Sequence, residues 1–318
     1  MGTETGFKHI LIPLDGSRLA ETALPAAAFM AARFQSSVTL IHLIERNAPP
    51  EVHSERHLTD AAQAQTYLDE VARRAFPPGM VVDCHVHTTE ISDVARGLVE
   101  HAAELRIDLI AMCSHGRGGL RDWLFGSIAQ QVVGLGTTPV LLVRPTQAGR
   151  APIFTGRMIL VPLDGDPSHE EALPVAGAVA RVCGGALHLV MVVRNTASLK
   201  GDQVATAMLM PLATQALIEL DEQQAEDYLN QHLARLRASG LTVSAEVARG
   251  DPASYLLSAA RRIGADLIAL GTHGKAGLEA FWSGSVGPKL SGRSHAPLLL
   301  VPLAAASRVE TPADPPAV

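Results

Sequence analysis

The residues of this chain with the most telling spacing are Gly271-Thr272-His273-Gly274 and then, after nine intervening residues, Gly284-Ser285. Glycine lets backbone N–H groups approach an anion with no Cβ in the way, so a run of such groups can cradle phosphate oxygens. A serine at a helix start caps it, and the helix N-terminus adds free N–H groups and the positive end of a dipole. Pro288 falls in the first turn of that expected helix, where its missing N–H matters little. The chemistry this pattern suits is phosphate binding. Lys275 follows Gly274, yet no Ser or Thr follows the lysine and the Walker spacing is absent; no G-x-G-x-x-G follows a first strand either. Lys275 and Arg117 are therefore either phosphate contacts or solvated surface charges.

Such residues need elements to hold them, and the chain supplies the same set twice. Ile10-Leu11-Ile12-Pro13-Leu14-Asp15-Gly16 returns as Ile159-Leu160-Val161-Pro162-Leu163-Asp164-Gly165, 149 positions on. Asp108-Leu109-Ile110-Ala111 returns as Asp266-Leu267-Ile268-Ala269, and Thr138-Pro139-Val140 as Ala296-Pro297-Leu298, both 158 on. Tyr67-Leu68 matches Tyr228-Leu229 at 161. Matches that keep their order across a whole domain mean duplication. Short apolar runs at 9–14, 38–44, 81–87, 109–113 and 140–143 read as buried strands, and 18–34, 61–76 and 94–105 as helices between them. This alternation predicts a parallel sheet with helices on both faces in each half. The expected units are 6–145 and 154–303, joined by a linker at 146–153, with a disordered tail from Ser307. The second half carries an insertion near 196–220 that includes the apolar stretch 204–212. It reads as an extra helix packed on its own domain, or as a lid or subunit contact, since exposed Met-rich surface adapts to partners.

The first half departs from the glycine pattern. It has Cys113-Ser114-His115-Gly116, nine residues, and Gly126-Ser127, so a cysteine stands at the first glycine position. The loop survives if that position needs no positive φ and is strained if it does. Ser92-Asp93-Val94 also replaces Gly250-Asp251-Pro252. Cys113 is either a plain core thiol or a redox-sensitive one whose pKa an anion-binding site lowers.

The G-x2-G-x9-G-S spacing, with Asp164 ending a first strand and Gly250-Asp251-Pro252 downstream, resembles the nucleotide-binding motif of the universal stress protein family. The resemblance covers nearly both halves, and the chain is identified as a tandem member. It implies two doubly wound α/β domains, each a five-stranded parallel sheet of order 3-2-1-4-5. It implies ATP, with Mg2+ carried on the phosphates. Asp164 would lie at the adenine or ribose end, Gly271, Gly274, Gly284 and Ser285 around the phosphates, and Met191 beside the base. Asp15, Gly116, Gly126 and Ser127 are the matching positions of the first half, where weaker binding is expected. For the residues themselves, Asp164-Gly165 also reads as a turn that caps the next helix, and Met191 as an ordinary core side chain. The resemblance further implies that the halves pair through their last strands as an internal pseudo-dimer, with homodimerisation a family expectation.

Composition narrows the rest. A 47% hydrophobic, 4% aromatic chain fills its cores with Ala, Val and Leu, which suits helices on a buried parallel sheet. A net charge of −6 without a basic block argues against nucleic acid as partner. Cys84, Cys113 and Cys183 lack paired spacing, no secretory signal is visible, and the longest apolar run is too short for a membrane span. A cytoplasmic, non-membrane protein is expected. His85 and His87 share one strand face and His53 and His57 could share a helical face, but neither pair shows a third ligand in the sequence, so no protein metal site is expected. No nucleophile–histidine–carboxylate set stands out. The leading expectation is an ATP-binding stress-response or regulatory protein with at most slow hydrolysis. A nucleotide hydrolase or transferase, or a binder of another small ligand with vestigial glycine loops, remains the alternative.

Overall fold

A computed structural model describes residues 6–48, 51–52, 55–114, 127–146, 148–193, 209–272 and 286–302. The first half contributes β1 (His9–Pro13), β2 (Ser37–Glu45), β3 (Val82–Ile91), β4 (Leu109–Cys113) and β5 (Val140–Val143). Its helices are α1 (Leu24–Phe34), α2 (Ala61–Ala75), α3 (Val94–Glu104) and α4 (Ser127–Leu135). The second half repeats them as β6 (Met158–Leu163), β7 (Ala186–Val193), β8 (Thr242–Arg249), β9 (Leu267–Thr272) and β10 (Leu298–Pro302). Its helices are α5 (Ala172–Cys183), α6 (Pro211–Ala238), α7 (Pro252–Arg262) and α8 (Val286–Arg293).

The strands form one sheet of ten, in the order β8-β7-β6-β9-β10-β5-β4-β1-β2-β3. Each half is parallel and runs 3-2-1-4-5, as expected, and the only antiparallel ladder among the described strands of this sheet is β5 against β10. Both last strands are apolar throughout, and each would leave an open edge alone; pairing removes both edges. The central strands are near-continuous Ile, Leu and Val because both faces are covered. Two apolar layers result. One buries Met30, Leu68, Val179 and Leu229 beneath α1, α2, α5 and α6; the other buries Leu98, Val132, Leu256 and Leu290 beneath α3, α4, α7 and α8. Phe29 of α1 meets Phe154, just ahead of β6, edge-on at 5.4 Å, so the first layer is continuous across the two halves.

Repeated polar details explain several of the sequence matches. The carboxylate of Asp108 accepts from the N–H groups of Lys8 (2.8 Å) and His9 (2.9 Å), and that of Asp266 from Thr155 and Met158, which ties β4 and β9 to the starts of β1 and β6. Tyr67 donates to Glu21 at 3.1 Å and Tyr228 to Glu170 at 2.7 Å, bracing α2 and α6 against the residues that lead into α1 and α5. Asp60, Asp93 and Asp251 cap α2, α3 and α7 by accepting from the backbone N–H three residues on.

Two expectations are corrected. The helix expected over 18–34 begins as a 3-10 turn, Ala20–Ala23, before α1. Most of the insertion, residues 196–208, lies outside the described residues; Leu209 is helical, Met210 interrupts the helix, and residues 211–221 extend α6 ahead of Glu222, the match of Ala61. Ile218 there is buried, whereas Leu209, Leu212, Leu217 and Leu220 are exposed. His57 follows a small hairpin, Glu51–Val52 against Glu55–Arg56, rather than lying on a helix face, and His53 lies outside the described residues.

Candidate functional site

β6 ends at Leu163, so Asp164 and Gly165 stand at its carboxyl end, and β9 pairs directly with it, Leu267 opposite Ile159 and Ile268 opposite Leu160. Gly271 lies one residue from the end of β9, opposite Val301. Strand order reverses between β6 and β9, the place where open α/β sheets leave a crevice for ligands. The fold therefore brings Asp164 and Gly271 to the ends of neighbouring strands. Met191 joins them from β7, opposite Leu163.

The turn after β6 has the left-handed conformation that favours glycine. Gly165 has φ +86°, and a Cβ there would stand 3.0 Å from Cε of Met191. Asp164 is exposed at its side chain; its Oδ1 accepts from Asp166 N–H at 3.1 Å and its Oδ2 lies 2.6 Å from His169 Nδ1. The carboxylate thus has a local turn role and a face left toward solvent. His169 went unnoticed in the sequence; its first-half match is Ala20, so no repeat signal pointed to it.

The corresponding end of β1 is built differently. Asp15 is half-buried, and its Oδ1 accepts from both Ser17 N–H (2.9 Å) and Ser17 Oγ (2.6 Å). Gly16 has φ +89°, and a Cβ on it would fall 2.8 Å from Leu58. Leu58 is held there by His42, the match of Met191, whose ring nitrogens lie 2.8 Å and 2.9 Å from the carbonyl oxygens of Leu14 and Leu58. Glu55 reaches Arg18 N–H at 2.6 Å, which ties the same segment down again. In the first half, then, the chain's own connection lies against the turn.

Cys113 and Gly271 are both ordinary strand residues, opposite Val143 and Val301. Neither position has a positive φ, so the cysteine imposes no strain there. Ser127 is the exposed first residue of α4, and α8 starts at Val286, directly after Ser285. Gly116, Gly126, Gly274, Gly284 and Ser285 lie outside the described residues, as do His115, Arg117, His273 and Lys275. No described helix is long and apolar enough to cross a membrane.

Comparison with known proteins agrees with the duplication. Residues 6–144 and 156–302 each match the Universal stress protein family. A universal stress protein of Mycolicibacterium smegmatis is 27% identical over 315 residues, spanning 92% of this chain and 96% of its own length. One from Synechocystis is 31% identical over 137 residues, covering 43% of this chain and 85% of its own. The crystal structure of a universal stress protein from Archaeoglobus fulgidus superposes with a TM-score of 0.66 at 20% identity, over 92% of this chain and 98% of that one.

Proposed function

This chain belongs to the universal stress protein family, and on that premise we propose that its second half binds ATP with Mg2+ and that occupancy biases the protein's conformation or partners in a stress response. The supporting observation is the meeting of Asp164 and Gly271 on neighbouring strands at the strand-order reversal, beside a turn at Gly165 whose conformation favours glycine. Asp164, with its exposed carboxylate, would accept from ribose or base, and Met191 would border the base. Gly271, Gly274, Gly284 and Ser285 would surround the phosphates, whose charge the start of α8 favours. Mg2+ would be held chiefly by phosphate oxygens and water, which needs few protein ligands. Hydrolysis, where it occurs, is slow in this reading and serves as a timer rather than as turnover.

The matching first-half positions, Asp15, Gly116, Gly126 and Ser127, form a weaker site in this reading. Leu58 lies against Gly16, and His42 stands in the place of Met191. A ligand at that turn must displace Leu58 or share the space with it.

Calorimetric titration of the full chain with ATP tests the proposal. Gly274→Asp or Ser285→Asp should weaken binding about tenfold or more by setting a carboxylate against phosphate, while Gly116→Asp or Ser127→Asp should change it less. No binding at millimolar ATP overturns nucleotide binding. Rapid turnover abolished by Gly284→Asp would favour the enzyme reading. Equal losses in both halves would overturn the ranking of the sites.

A further inference from the structure

We propose that His85, His87 and His101 form a three-histidine site for a divalent transition-metal ion of the zinc type, at the outer edge of the first half. His85 and His87 alternate with Cys84 and Val86 along β3: Cys84 and Val86 pack toward the layer under α2, and the two histidines project to the opposite face. The third ring comes from α3, which lies on that face. One ring nitrogen from each of the three histidines can be chosen so that all lie within 4.8 Å of one another. The ring of His101 stands 5.2 Å from that of His85 and 4.9 Å from that of His87, centre to centre. Tetrahedral zinc holds nitrogens at about 2.0–2.1 Å, which sets them roughly 3.3 Å apart, so small ring rotations close the site.

Two details point to a ligand rather than to a chance cluster. His85 Nε2 is shut off from solvent and has no hydrogen-bond partner. Leaving a buried nitrogen unsatisfied is costly, and a metal ion would satisfy it. His101 Nδ1 lies 2.8 Å from the carbonyl oxygen of Gly97, one helical turn back. Donation there fixes the tautomer with Nε2 as the lone-pair nitrogen, the arrangement by which ligating histidines are usually oriented. The same Gly97 lets α3 approach the sheet, since a Cβ on it would stand 2.9 Å from Ile91 and 3.3 Å from Leu43.

The second half serves as an internal control. The pairings of Val38 with Val82 and of Leu187 with Val243 align the halves, and they set Glu246 and Ala248 where the first half has His85 and His87. The aligned helix caps Asp93 and Asp251 likewise set Ala259 where His101 stands. Duplication alone therefore does not produce the triad. Three imidazoles with an open position for water suit zinc and its neighbours better than Mg2+ or Ca2+, which take oxygen ligands. This site is separate from the strand ends proposed for ATP, and its test does not depend on nucleotide.

The untagged full chain is titrated with Co2+, read by its visible d–d absorption, and then with Zn2+ in competition. One equivalent with a tetrahedral spectrum is expected. His85→Gln, His87→Gln and His101→Gln should each weaken binding by more than about tenfold, and His295→Gln, at an exposed residue elsewhere, should leave it unchanged. Zn2+ should also raise the thermal midpoint of the parent chain but not that of His87→Gln, whose half-exposed position spares the fold. No binding up to about 0.1 mM metal, or equal affinity in the parent and the three variants, overturns the site.

Discussion

Leu141 and Leu299 face each other at the centre of the antiparallel seam, and they are the same position of the repeat, 158 residues apart. Leu142 opposite Leu298 and Val140 opposite Leu300 flank them symmetrically. The approximate two-fold axis relating the halves therefore passes between these two leucines. Two copies of one domain meet as an isologous dimer would, with the linker making the contact intramolecular.

Cutting the linker should consequently leave the halves together. A protease site placed at Gly149, in an exposed turn, is expected to yield two fragments that co-elute on gel filtration. Leu141→Lys combined with Leu299→Lys buries two charges at the seam and should separate the fragments; separation without these substitutions would contradict this account of the seam.

The phenol of Tyr228 donates to Glu170, and Tyr67 repeats the bond to Glu21. Tyr228→Phe and Tyr67→Phe should each destabilise by about 1–2 kcal/mol, because each leaves a carboxylate short of a donor. The two sites share no partner, so the double variant should show the sum in urea denaturation.

Stability should fall as pH drops from neutral into the range below 6.5. Burial holds His232 below the usual histidine range, with the nearby Arg235 adding to it against the pull of Glu170, and His85 is lowered as well. A lowered histidine is neutral in the fold while the unfolded chain takes up a proton. The stability is therefore present above the unfolded value and is lost as pH falls through the interval down to the folded one. Thermal midpoints measured from pH 7.5 to 5 should show this slope, and His232→Gln should flatten it.

Gly16→Ala and Gly165→Ala both force a Cβ onto a left-handed turn and should each cost about 1 kcal/mol or more. The first should cost more, since its Cβ meets Leu58 at 2.8 Å whereas that of Gly165 meets only the flexible end of Met191 at 3.0 Å. Chemical denaturation ranks them.

Asp164→Ala should weaken ATP binding about tenfold while Asp15→Ala changes it little, because Asp164 is exposed and Asp15 is engaged by Ser17. Calorimetry on the two variants separates these outcomes.

The duplicate halves and their alternation of strand and helix were legible because they rest on local signals, apolar runs and matches kept in order, whereas the strand order and the pairing of the last strands came from the family resemblance those motifs carry. The motifs likewise singled out Asp164 and Gly271 as candidates, since the strand order the resemblance implies sends the ends of a first and a fourth strand to neighbouring places. Contacts between side chains far apart in sequence were not legible. Leu58 against Gly16, His42 bridging two carbonyl oxygens, and His101 over His85 and His87 depend on how closely a helix or a connection settles on the sheet. Duplicated sequence determines duplicated architecture, because periodicity and caps act locally and both halves carry them. The difference between the halves was decided by tertiary structure, because it arises from packing distances of a few ångströms that no periodic pattern encodes.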